Sequence, residues 1–98
     1  MLTHVVLFQW NDSVPDGYAD VARAELLKYA ATLSGVVSYR CGANAGFSDT
    51  AADFGIVAVF ETADDWRRYD TDDEHNRIRR EIFAPYVANR NVIQFITD

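Results

Sequence analysis

The chain has 98 residues, a net charge of −6 and a pI near 4.7, which is the length of one domain and a charge that argues against non-specific binding to nucleic acid or anionic membrane. Hydrophobic residues make up 49% and charged residues 24%, so the chain reads as globular rather than disordered. The lone cysteine, Cys41, excludes an intramolecular disulfide and fits a reducing, cytoplasmic setting.

"THVVLFQW" opens the chain as a β-branched and aromatic run followed by the turn residues "NDS", the pattern of a strand. Alternation puts His4, Val6, Phe8 and Trp10 on one face and Val5, Leu7 and Gln9 on the other. The run has no basic leader and is too short to span a bilayer, so neither a signal peptide nor a membrane segment is expected. "SVPD" then predicts a helix start, with Ser13 as cap, Pro15 in the first turn and Asp16 at the positive end of the dipole. Tyr18, Val21, Ala22, Leu26, Tyr29, Ala30 and Leu33 recur at helical spacing, and Gly35 supplies the stop.

"VVSYRCG" predicts the second strand, with Cys41 a packing residue rather than a nucleophile. The small, polar "ANAGFSDTAAD" is a loop. "FGIVAVF" is a third strand, in which Gly55 marks a bulge or a close approach. In "TADDWRRY", Thr62 and Asp65 have capping-box spacing, and Thr71 and Glu74 repeat it. Two start signals so close together predict a short helix, a break near Asp70 and a second helix. Ile78, Ile82 and Phe83 line that second helix, and Pro85 ends it. "NVIQFI" is the last strand; Arg90 and Asn91 begin it and are candidate dimer-edge contacts.

The order β-α-β-β-α-β predicts one α+β domain over residues 1–98, with a ferredoxin-like sheet and helices on one side. The strands are apolar on both faces, and helices cover only one. A second copy is therefore expected on the other face, burying Val5, Leu7, Val57, Val59, Ile93 and Phe95 in a homodimeric barrel. Eight of the nine basic residues are arginine, a bias of GC-rich bacterial genomes. Arg67, Arg68, Arg77, Arg79 and Arg80 read as a solvated helix face, with an anion clamp the sharper alternative. Asp72, Asp73 and Glu74 read as helix caps, because adjacent helical residues do not converge on a metal. There is no CxxC or HExxH spacing, so a structural zinc site is not expected.

"THVVLFQW", "ADFGIVAVFETADDWRRY", "DEH" and "PYVANRNVIQF", in this order from residue 2 to 96, resemble the stress-responsive A/B barrel (Dabb) family of dimeric α+β barrels. One branch of that family is the olivetolic-acid-type polyketide cyclases, which close a linear polyketide by aldol condensation without metal or cofactor. Another includes fern hydroxynitrile lyases, and a third comprises stress-associated proteins without clear chemistry. The resemblance to the cyclases implies His75 and Tyr69 as catalytic residues and His4 as their first-strand partner. Leu26 stands where the cyclases have a pocket tyrosine, with Tyr29 three residues on.

On this basis His75 is expected to act as a general base, Tyr69 and His4 to steady an enolate, and Phe8, Trp10, Leu26, Tyr29, Trp66 and Ile82 to form the wall of an apolar substrate cavity between sheet and helices. The expected substrate is a small aromatic or polyketide-like molecule. The sign of any shift in the His75 pKa stays open here, since the helix dipole favours neutral imidazole while Asp72, Asp73 and Glu74 oppose it. Plainer alternatives are a solvated His75, a core His4 bonded to a main-chain carbonyl or to His75, and a Tyr69 that merely packs. The competing functions are a non-catalytic stress-associated dimer or binding protein, hydroxynitrile-lyase-like chemistry, and a cofactor-free monooxygenase or haem-binding barrel.

Overall fold

The computed structural model describes residues 1–97. Strands β1 (Leu2–Trp10), β2 (Val36–Ala43), β3 (Phe54–Phe60) and β4 (Val87–Ile96) form one sheet in the order β2-β3-β1-β4, and every neighbouring pair is antiparallel. With helix α1 (Tyr18–Ala30) between β1 and β2, and helices α2 (Ala63–Thr71) and α3 (Asp73–Ile78) between β3 and β4, this is the ferredoxin-like arrangement.

Alternation decides which side chains meet the helices. Leu2, His4, Val6 and Phe8 of β1 and Phe54, Ile56, Ala58 and Phe60 of β3 are buried on the inner face, with Ala22, Leu26, Tyr29, Tyr69, Ile78 and Phe83 packed over them. Cys41 sits half-buried against this core, where desolvation pushes its thiol up. On the outer face Leu7, Ile93 and Phe95 are exposed. Gly55 pairs in register with Leu7 and Gly42. The irregularities fall instead between Val36 and Ser38 and between Gln9 and Trp10, so of the bulge or close approach expected at Gly55 the bulge is absent, and the Leu7 side chain lies over the glycine at ordinary van der Waals distance.

α1 begins at Tyr18, not within "SVPD". Ser13 donates its N–H to Asn11 Oδ1, Tyr18 N–H bonds back to the Pro15 carbonyl, and Gly17 turns left-handed at φ 71°. The capping residues are thus spent on turns. Asn11 holds this segment to the start of β4, donating to the main-chain carbonyls of Tyr86 at 2.8 Å and Pro85 at 3.0 Å. Val21, expected on the buried stripe, faces out.

The Thr62–Asp65 capping box forms in full. The second one does not: the break falls at Asp72, with ψ 135°, and Asp72 rather than Thr71 caps α3 without a side-chain bond. After α3 the chain tightens into a π-helical turn (Arg79–Phe83) and a 3-10 turn (Ala84–Tyr86) that holds Pro85. β4 then starts at Val87, four residues earlier than its apolar run implies.

α1 packs over β2 and α2 over β3. The inner face of β1 and β4 is left to α3 and the π-helical turn, and Val92 and Ile96 on that side of β4 remain exposed. The site occupies this gap.

Candidate active site

A cavity of about 610 Å³ lies between the sheet and the second helical region, a size suited to a drug-sized molecule. Val6, Phe8, Leu26, Ile56, Ile78 and Phe83 form its apolar wall. His4, Trp66, Tyr69, Asp70, His75, Arg79, Arg90 and Gln94 supply the polar groups. Each element delivers its residues for a local reason. β1 aims His4 inward by alternation. The break at Asp72 turns α3 so that His75 folds back on Tyr69, their ring centroids 3.9 Å apart. The π-helical turn brings Arg79 and Phe83 to the same wall; such turns recur at functional sites.

His4, Tyr69 and His75 therefore line one cavity, and of the expected wall residues Phe8, Leu26 and Trp66 do as well. Trp10, Tyr29 and Ile82 do not. Trp10 lies behind the wall, stacked on Phe8 and Phe83. Ile82 is half-buried, and its carbonyl accepts the Tyr18 hydroxyl at 2.6 Å. Tyr29 stacks on His75 from outside the cavity, and its hydroxyl donates to Asp72 Oδ2 at 2.8 Å. Tyr29 thus braces the His75 ring and ties it to the helix break.

The two histidines are both buried, His4 3% and His75 5% exposed, and both are held neutral. Burial lowers His75 to about 4, with the Arg79 guanidinium adding to the effect. Burial also lowers His4 to about 4, with Arg90 the next contributor. The acids beside His75 in sequence do not decide the matter; Asp70 opposes the shift and is outweighed.

The Asp70 main chain favours a proton on the His75 ring, and the ring's Nδ1 is buried without a hydrogen-bond partner. At His4, Gln94 Nε2 lies 2.8 Å from Nδ1, and with the amide donating, Nδ1 is the acceptor and the ring proton sits on Nε2.

Tyr69 is buried, and desolvation raises its pKa, so it keeps its proton. Its hydroxyl shares a 3.0 Å hydrogen bond with that of Tyr39. Arg79 is tied to Asp70 by an ion pair of 2.6 Å and to Asn76 Oδ1 at 3.2 Å, so it belongs to the site rather than to a solvated face. Arg90, opposite Phe8 in the β1–β4 register, faces the cavity, as does Gln94 opposite His4.

Sequence reasoning missed Tyr39, Asp70 and Gln94 and assigned Arg90 to a dimer edge. The β1–β4 pairing that carries Gln94 and Arg90 inward is a contact across some 80 to 90 residues. Their spacing on the inner face of β4, with Val92 between them, was the available signal. Among the described residues no group of three or more histidine, cysteine or carboxylate side chains is arranged around a metal position, and no helix is long and apolar enough to cross a membrane.

Comparison with known proteins agrees with this fold. A dimeric ferredoxin-like protein of unknown function from Thermobifida fusca is 30% identical with a TM-score of 0.89, over 98% of this chain and 90% of that one. A Dabb family protein from Mesorhizobium loti superposes with a TM-score of 0.80 at 18% identity, covering 98% and 95%. The hydroxynitrile lyase of Passiflora edulis superposes with a TM-score of 0.82 at 13% identity, covering 99% and 93%. No curated protein matches the chain. The model of the stress responsive A/B barrel domain, Dabb, matches residues 2–97, and the chain belongs to that family.

Proposed function

We propose that this chain is a small general acid–base enzyme, working as a homodimer, that removes a proton next to a carbonyl of an aromatic or polyketide-like substrate in the manner of a polyketide cyclase. The observation that carries the reading is a pair of buried, neutral imidazoles, packed with Tyr69, in one largely apolar cavity. His75 Nε2 takes the proton. The resulting enolate oxygen accepts hydrogen bonds from the His4 Nε2–H and the Tyr69 hydroxyl. The carbanion attacks a second carbonyl carbon of the same chain, and the new alkoxide takes the proton back from the His75 imidazolium. The apolar wall excludes water and holds the substrate folded.

A lyase reading uses the same groups. The fold neighbour named as a hydroxynitrile lyase supports it, since deprotonating a cyanohydrin hydroxyl also needs one neutral base in a dry pocket. A non-catalytic binding role asks for the cavity but not for two buried, neutral imidazoles beside a buried tyrosine hydroxyl.

Deuterium uptake from D2O at the benzylic carbon of phenylacetone, followed by proton NMR, tests the base without knowledge of the natural substrate. The wild-type protein is expected to accelerate uptake over buffer, and His75→Ala to lose ~10²-fold or more of that acceleration. Tyr69→Phe keeps the ring and loses the hydroxyl, the proposed oxyanion donor, together with its bond to Tyr39, and a smaller loss is expected. Thermal melts establish that each variant is folded. A folded His75→Ala protein that exchanges at the wild-type rate rules out the base assignment.

A further inference from the structure

The cavity wall contains two cations and one anion, Arg79, Arg90 and Asp70, and the three are not equivalent. Arg79 is spent on Asp70 and Asn76. Arg90 has no carboxylate partner among the described residues. In a chain of net charge −6, with both histidines neutral, the polar end of the cavity thus keeps one uncompensated positive charge. It stands on the inner face of β4, opposite Phe8 and four residues before Gln94, the His4 partner. Trp66 packs 5.8 Å from His4 on the same wall.

We infer that the cavity binds a carboxylate monoanion, its carboxylate on Arg90 and its ring or chain along Phe8, Val6, Ile56 and Phe83. The guanidinium fork matches a planar carboxylate in two parallel hydrogen bonds. One free cation balances one charge, which favours a carboxylate over a phosphate dianion. The inference rests on the acid–base reading for the cavity's role as the substrate chamber, and it narrows the substrate to an acid-bearing molecule. The anchor also sets direction, since one end of the substrate is fixed at β4 and the reacting carbon is presented farther along the cavity.

Binding of 2-naphthoate, 2-naphthamide and 2-naphthyl phosphate, measured by calorimetry, tests it. Naphthoate is expected to bind at least ~10-fold more tightly than the amide and more tightly than the phosphate. Arg90→Gln should bring acid and amide within ~2-fold of each other, with an unchanged thermal melt. Bound naphthoate also offsets the Arg90 charge, so the His4 ring pKa, read by NMR, should rise in the wild type and not in Arg90→Gln. Equal affinity for acid and amide, no binding of naphthoate at millimolar concentration, tighter binding of the phosphate, or a preference that survives Arg90→Gln each overturns the proposal. His75→Ala separates the two readings, because it should abolish deuterium exchange while leaving the preference for the acid intact.

Discussion

At the scale of single residues, the site depends on keeping two imidazoles neutral, and this has a measurable consequence for stability. His4 and His75 are each lowered to about 4 in the folded protein from 6.5. Below pH 6.5 the unfolded chain therefore takes up protons that the folded chain refuses. The stability linked to each ring is complete above pH 6.5 and is lost progressively as pH falls toward 4. At pH 5 the loss is about 2 kcal/mol per ring relative to pH 7. His75→Gln, which cannot titrate, should remove about half of the histidine contribution to the pH 7-to-5 difference in urea-unfolding free energy. A His75 ring that titrates near 6.5 by NMR in the folded protein would contradict this account. His4 and His75 could be picked out as residues because a polar ring on an apolar strand face and an imidazole after a helix break are visible in sequence. Their neutrality was not legible, because it comes from burial and from Arg79 and Arg90, and the arginines reach the rings only through folding.

At the scale of elements, local chemistry located the strands and the α2 capping box well. β-branched alternation and the Thr62–Asp65 spacing act over a few residues, and nothing distant overrides them. Boundaries that depend on distant partners were read less well. Asn11 ties the stretch before α1 to β4, so Ser13 and Pro15 serve turns although their types suit a helix start. Gly35 marks the opposite case, where one residue links two elements. Its φ is 77°, and a Cβ there would fall inside van der Waals contact with the Asp65 carboxylate. That carboxylate accepts from the Thr62 N–H at 3.1 Å and from its hydroxyl at 2.8 Å, and also pairs with Arg68. Gly35→Ala combines left-handed strain with damage to the α2 cap, and about 2–4 kcal/mol of destabilisation is expected. Gly17 has nearly the same φ, 71°, but open space around it, so Gly17→Ala should cost about 1 kcal/mol. Chemical denaturation of both variants checks the ordering, and equal costs would mean that the Asp65 contact is unimportant.

At the scale of the whole molecule, the inner face of the sheet is accounted for by the helices and the cavity, and the outer face is not. Three cross-strand rows form its middle: Ile93, Val5, Val57 and Arg40; Phe95, Thr3, Val59 and Ser38; and Asn91, Leu7, Gly55 and Gly42. The apolar part is centred on β4, β1 and β3, and β2 closes it with small or polar residues. Leu7, Ile93 and Phe95 are 44%, 60% and 45% exposed in the isolated chain, a cost a domain of 98 residues has little core to offset. Related structures are described as dimeric, and a self-complementary pair of such faces is the simplest cover. The need for a partner was legible from strands apolar on both sides; the off-centre patch was not, because it depends on strand order and register. If the homodimer forms through this face, burying ~1,000 Å² or more, a charge in the first row should disrupt it. Ile93→Glu should convert a dimer into a monomer by light scattering at ~10 μM and lower the melting temperature, because the released face returns to water. The cavity lies on the opposite side of the sheet, so residual naphthoate binding should persist wherever the monomer stays folded. A wild-type protein that is monomeric at that concentration would mean that the outer face is not a dimer interface.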